Sequence, residues 1–165
     1  MTDVDDTIAL EEFLPYRLAR MAGEISRQLR EVYKDDHGLT IPEWRTLATL
    51  GQFGTVTAKA IGAHASMHKT KVSRAVAALE TRRWLQRAQN PDDRREDLLS
   101  LTAPGRRAYR HLVPKMRAFE DAIIAQFAET GAASGSVDLF ATLDALERIL
   151  GIENQRITSA RPQTD

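Results

Sequence analysis

The stretch from Ser66 to Thr102 constrains this chain more than any other. It reads SMHKTKVSRAVAALETRRWLQRAQNPDDRREDLLSLT. Val72, Val76 and Leu79 recur at steps of four and three, so they share one face of a short helix. At about 100° per residue the opposite face carries Thr70, Arg74 and Ala77, flanked by Lys71 and Ser73. That outer face is short, cationic and able to hydrogen-bond. The second half of the stretch reads as two short strands around the polar turn Asn90 to Arg95, where Pro91 and the paired Asp92 and Asp93 favour reversal. Arg94 and Arg95 at the tip have no apolar surface to cover. A polar-faced helix followed by an Arg-tipped hairpin is the pattern of a winged helix-turn-helix that reads duplex DNA.

The formal net charge is zero, which suits a DNA binder only if the charge is unevenly placed. It is. Residues 1–36 hold nine acids and five bases, a balance of −4, whereas residues 66–111 hold eleven bases and five acids, a balance of +6. A solvated arginine-rich surface would explain the number alone. Its coincidence with the helix and hairpin favours a nucleic-acid face.

Taken in order, residues 1–11 read as a disordered start, acidic and without period. Leu14, Leu18, Met21, Ile25, Leu29 and Val32 then mark a long helix over about 12–36, roughly 36 Å in length. Thr40, Pro42 and Glu43 start a second helix, and Thr57 caps a third. Trp84 and Leu85 begin the first hairpin strand, and Leu99 and Leu101 alternate on the return strand. Thr102 and Pro104 open another long helix, in which Pro114 removes a ladder bond and should kink the helix near Arg110. A loop over 130–136, a last helix to about 150 and a flexible tail over 153–165 complete the chain. The predicted fold is mainly α with a small β-hairpin. A winged helix-turn-helix over about 40–102 sits between dimerisation helices over about 12–36 and 103–150, all in one domain over 12–152. Two amphipathic terminal helices need cover, and a two-fold homodimer is the economical source. Two reading helices about one DNA turn apart then imply a near-palindromic site.

Several classes are excluded or disfavoured. There is no cysteine, so disulfides and thiolate chemistry are absent. No apolar run approaches the roughly 18 residues of a membrane span, and the acidic start is unlike a signal peptide, which points to the cytoplasm. His37, His64, His68 and His111 are not joined by a carboxylate cluster, so no metal or other cofactor is expected. No nucleophile with a paired base stands out, so the chain is not read as an enzyme. A winged helix that binds protein instead of DNA remains the alternative. That module would not need cations on both the helix face and the hairpin tip.

At this point the residues resemble a known family. Asp93-Arg94-Arg95, followed by Leu99-Ser100-Leu101-Thr102 and Gly105, is similar to the D-x-R…L-T-x-x-G signature of MarR-type regulators, named for multiple antibiotic resistance. HKTKVSRAVAALE resembles the reading helix of that family, with V-S-R and then L-E, and the likeness covers roughly residues 12–150. One departure stands out. The family usually has Gly before the first wing strand, where this chain has Arg83. A left-handed helix end there costs a non-glycine residue about 1 kcal/mol. The resemblance implies a homodimeric transcriptional regulator, taken here as a repressor, with a small-molecule effector pocket between the dimer helices and the reading head.

On this reading Thr70, Lys71, Ser73 and Arg74 face the major groove, where Arg pairs with guanine and Thr or Ser meets base or phosphate. His68 and Lys69 lie at the helix start, which favours phosphate. Arg94 and Arg95 reach the minor groove, with Asp93 orienting a neighbouring arginine. Tyr16, Arg17, Arg20, His37 and Trp44 lie on the first two helices, where the resemblance places an effector. Arginine beside aromatic rings suits a small aromatic acid.

Overall fold

The fold comes from a computed structural model, which describes residues 7–130 and 138–152. The expected loop at 131–136, the tail at 153–165 and the first six residues lie outside the described residues. The chain divides into two compact units, one ending at Leu39 and one beginning at Thr40.

The first unit is dominated by helix α1, Leu14–His37. Pro15 sits in its first turn, where the missing N–H would have had no partner. Gly38 ends it with φ 59°, and its N–H donates to the Lys34 carbonyl at 2.7 Å. The predicted stripe is present but thinly covered. Leu18, Leu29 and Val32 are half-buried, whereas Leu14, Met21 and Ile25 are exposed. Before α1, the Glu12 N–H donates to the Ala9 carbonyl at 3.0 Å and closes a turn.

The second unit runs α2 (Ile41–Phe53), β1 (Val56–Thr57), α3 (Ala58–His64), α4 (Lys69–Thr81), β2 (Leu85–Gln89), β3 (Asp97–Leu101), α5 (Ala103–Glu129) and α6 (Leu139–Ile149). The sequence punctuates each start. Thr40 and Glu43 form a reciprocal capping box on α2, Thr57 caps α3 and Thr102 caps α5. Leu47 and Leu50 of α2, Ile61 of α3, Val72, Val76 and Leu79 of α4, and Ala108 and Leu112 of α5 are buried and form the core. Leu99 and Leu101 close it from the sheet side, as their alternation predicts. Helix α5 is continuous from Ala103 to Glu129 through Pro114. Phe140 and Leu143 of α6, with Leu150 just after it, stay exposed.

Two local expectations need correction. The wing is not a bare hairpin: β1 pairs antiparallel with β3, Val56 opposite Leu99 and Thr57 opposite Leu98, giving the order β1-β3-β2. A strand of two residues is too short for alternation to reveal it, and Thr57 already reads as a helix cap. The first wing strand also begins at Leu85 instead of Trp84, because the Trp84 N–H is used to end the preceding helix. It donates to the Leu79 carbonyl at 2.9 Å, while the Arg83 N–H donates to Glu80 at 2.8 Å. That pair of bonds is a Schellman motif, with Arg83 in the left-handed position at φ 59°.

Arg83 therefore occupies the conformation glycine would take, and the wing base is built normally around it. Thr102 Oγ1 donates to the Arg83 carbonyl at 2.7 Å, and the Thr102 N–H donates to the Trp84 carbonyl at 3.0 Å. Arg83→Gly is expected to stabilise the protein by about 1 kcal/mol, the cost a side chain pays there. A thermal midpoint no higher than that of the parent would contradict the strain assigned to Arg83.

Candidate nucleic-acid interface

Helix α4 owes its orientation to its inner residues. Val72, Ala75, Val76 and Leu79 are buried, which turns Thr70, Lys71, Ser73, Arg74 and Ala77 to solvent. His68 is its N-cap, with Nδ1 accepting the Thr70 N–H over a long 3.4 Å, and Lys69 is the first helical residue. His68 therefore points its ring at the helix start. The positions expected to meet DNA all lie on the open side.

The hairpin tip is braced by its own side chains. Asn90 Oδ1 accepts the Asp92 N–H at 3.1 Å, and Asp93 Oδ1 accepts the Arg95 N–H at 3.0 Å. The Glu96 N–H donates to the Asp93 carbonyl at 3.0 Å. Asp93 thus acts on Arg95 through its backbone amide, an Asx-type turn, and leaves both guanidinium groups outward. Arg94 and Arg95 are exposed.

Helix and wing face a shared concavity. A groove of about 520 Å³ runs between α3, α4 and the wing, and Lys59, Lys69, Ser73 and Arg95 line it over a floor that includes Val76 and Leu99. Lys69, Ser73 and Arg95, far apart in sequence, therefore converge on one edge. Thr70, Lys71, Arg74 and Arg94 lie outside that groove on the exposed surface. Lys69, Lys71, Arg74, Arg94 and Arg95 have no ion pair among the described residues. Cations left without carboxylates are available to an external polyanion.

Arg87 was missed by counting charge. It is basic and on the wing, yet its guanidinium is engaged twice by Glu80, at 2.6 and 2.9 Å, and by Asp97 at 3.2 Å. The Glu80 carboxylate, helped by Asp97, raises its pKa above the usual arginine value. Strand parity was the available signal: Arg87 shares the inward face with Leu85.

The expected effector residues divide between the two units. Tyr16, Arg17 and Arg20 are exposed on α1, and the Arg20 guanidinium carbon lies 5.8 Å from the Tyr16 ring centre. His37 ends the same helix, roughly 30 Å along it from Tyr16 at the usual rise. Trp44 is half-buried in the second unit and stacks on Tyr109, with ring centres 6.4 Å apart. No cluster of metal-binding side chains occurs among the described residues. None of the described helices is long and apolar enough to cross a membrane.

Comparison with known proteins agrees with this architecture. A profile of the MarR family matches residues 37–96, which spans α2, α3, α4 and the hairpin to its tip. The uncharacterized HTH-type transcriptional regulator YwoH of Bacillus subtilis is 33% identical over 90 residues. That alignment covers 54% of this chain and 65% of YwoH, so it spans just under two thirds of the relative's length. A MarR family transcriptional regulator from Silicibacter pomeroyi DSS-3 superposes with TM-score 0.73 at 27% identity, covering 88% of this chain and 99% of that one. BpsR of Bordetella bronchiseptica, whose DNA binding is regulated by 6-hydroxynicotinic acid, has TM-score 0.64 at 18% identity, with coverage of 88% and 96%. At that identity the likeness concerns the fold alone. The family and fold are those of transcriptional regulators and not of enzymes. With the profile lying on the reading head and the Silicibacter protein matching most of the chain, residues 37–96 match the MarR family and the chain as a whole resembles MarR-family regulators in fold.

Proposed function

We propose that this protein is a sequence-specific regulator that binds double-stranded DNA as a homodimer. The observation that carries the reading is a set of exposed cations without an ion pair among the described residues: Lys69, Lys71 and Arg74 on α4, and Arg94 and Arg95 on the wing, with Lys69 and Arg95 lining one groove. In this assignment Thr70, Lys71, Ser73 and Arg74 enter the major groove, and His68 and Lys69 sit on phosphate. Arg94 and Arg95 take the minor groove beside each half-site. A second copy of the chain covers the exposed apolar residues Met21, Ile25, Phe140 and Leu143, and its two-fold symmetry makes the operator a near-palindrome. Such a regulator works in the cytoplasm.

We further propose that it is a repressor released by a small aromatic acid. Support comes from the Tyr16–Arg20 pair and from BpsR, a fold relative regulated by an aromatic acid. Because His37 lies so far from Tyr16 along α1, a single small acid touched by both draws them from two protomers. Arg17 supplies a further cation.

Selection of bound fragments from random duplex DNA tests the first reading. Recovery of an inverted repeat is the expected result, and no enrichment rejects it. Repeating the binding with candidate aromatic acids tests the second. An effector response left intact in both Arg17→Ala and Arg20→Ala removes those residues from the effector site.

A further inference from the structure

The inner face of a wing strand should be apolar, because it faces the core. On β2 that face begins with Leu85, which is buried, and continues with Arg87 and Gln89. Arg87 stands directly opposite Leu99, the buried centre of β3. Its side chain therefore leaves the sheet on the side of the reading helix. There Glu80, in the last turn of α4, receives Nε at 2.6 Å and Nη2 at 2.9 Å in a two-point fork. The remaining arm, Nη1, reaches Asp97 at 3.2 Å, at the start of β3. Three elements, α4, β2 and β3, thus meet on one planar cation.

We infer that Arg87 is a positioning residue that fixes the wing against the reading helix, so that Arg95 and Lys69 are presented together without Arg87 itself touching DNA. The inference rests on the DNA-binding reading above. Its physical basis is the match between a rigid fork and two carboxylates, which a flexible lysine would not reproduce. The hairpin leaves the core after Leu85, and from there its tilt depends on this link. Removing the link lets the wing sample other angles, and only the aligned fraction binds both grooves at once.

The triad is partly exposed, with side chains 31–48% accessible, so its effect is modest. Arg87→Ala is expected to weaken binding to the selected duplex about fivefold. The slope of log affinity against log salt should stay as in the parent, because no phosphate contact is lost. Glu80→Gln gives the sharper outcome. It removes a negative charge near the DNA face, which by simple electrostatics tightens binding. If Glu80 holds Arg87 in place, binding weakens instead. Arg87→Ala and Arg95→Ala should also combine with less than additive effect, since each acts through the wing.

Three results would overturn the inference: tighter binding by Glu80→Gln, a salt slope in Arg87→Ala reduced by about one phosphate, or full additivity with Arg95→Ala. Thermal melting of each variant separates loss of fold from loss of alignment. Parent protein that selects no duplex refutes the DNA-binding reading and this inference together. Parent binding with any of the three results above refutes the inference alone.

Discussion

Gly105→Ala is expected to destabilise the second unit by about 3 kcal/mol, at the upper end for an overpacked site. Gly105 is buried in the first turn of α5, and a Cβ added there would overlap the Trp84 carbonyl oxygen. The obstacle is backbone, so no rotamer change relieves it. Trp84 cannot retreat easily. Its N–H closes the end of α4, and its carbonyl accepts from Thr102. The Thr102 hydroxyl at once accepts the Gly105 N–H at 3.2 Å and donates to the Arg83 carbonyl. A shift of α5 thus strains the end of the reading helix and the root of the wing together. A fall of roughly 6–12 °C in the thermal midpoint is expected for a chain of this size. A midpoint within a degree or two of the parent would show that the close approach of α5 to Trp84 is not required.

Arg74→Ala is expected to cost about 1–3 kcal/mol in binding the selected duplex and to relax preference at one base position in each half-site. Arg74 lies on the face of α4 opposite Val72, Val76 and Leu79, is exposed, and has no carboxylate partner among the described residues. Its long side chain can donate two bonds to guanine, and that pairing is lost without change to the core. Stability should match the parent within about 0.5 kcal/mol, as for an exposed site. An unchanged base preference would move Arg74 out of the base-reading set and onto phosphate.

Much of the reading head was legible because its physics is local. Steps of three and four at Val72, Val76 and Leu79 decide which side of α4 is buried, and the outward residues follow by geometry. Thr40, Thr57 and Thr102 announce helix starts through the bonds their hydroxyls accept. What stayed hidden depends on contacts distant in sequence. The pairing of Val56 with Leu99 leaves no periodic trace in two residues. Arg87 looked like every other wing cation, although Glu80 and Asp97 neutralise it within the fold. Asp93 was expected to orient an arginine; its carboxylate accepts the Arg95 backbone amide, a bond visible only once the turn is built. The left-handed position of Arg83 was anticipated from the family's glycine, and the Schellman bonds show why glycine is common there.

In the proposed function, the exposed cations of α4 and the wing converge on DNA phosphates and bases. A salt titration of affinity for the selected duplex tests it most directly. With six or more phosphates contacted by the dimer, affinity should fall about 10³-fold or more between roughly 50 and 200 mM salt. A nearly flat dependence over that range would contradict the claim and favour a winged helix that binds protein.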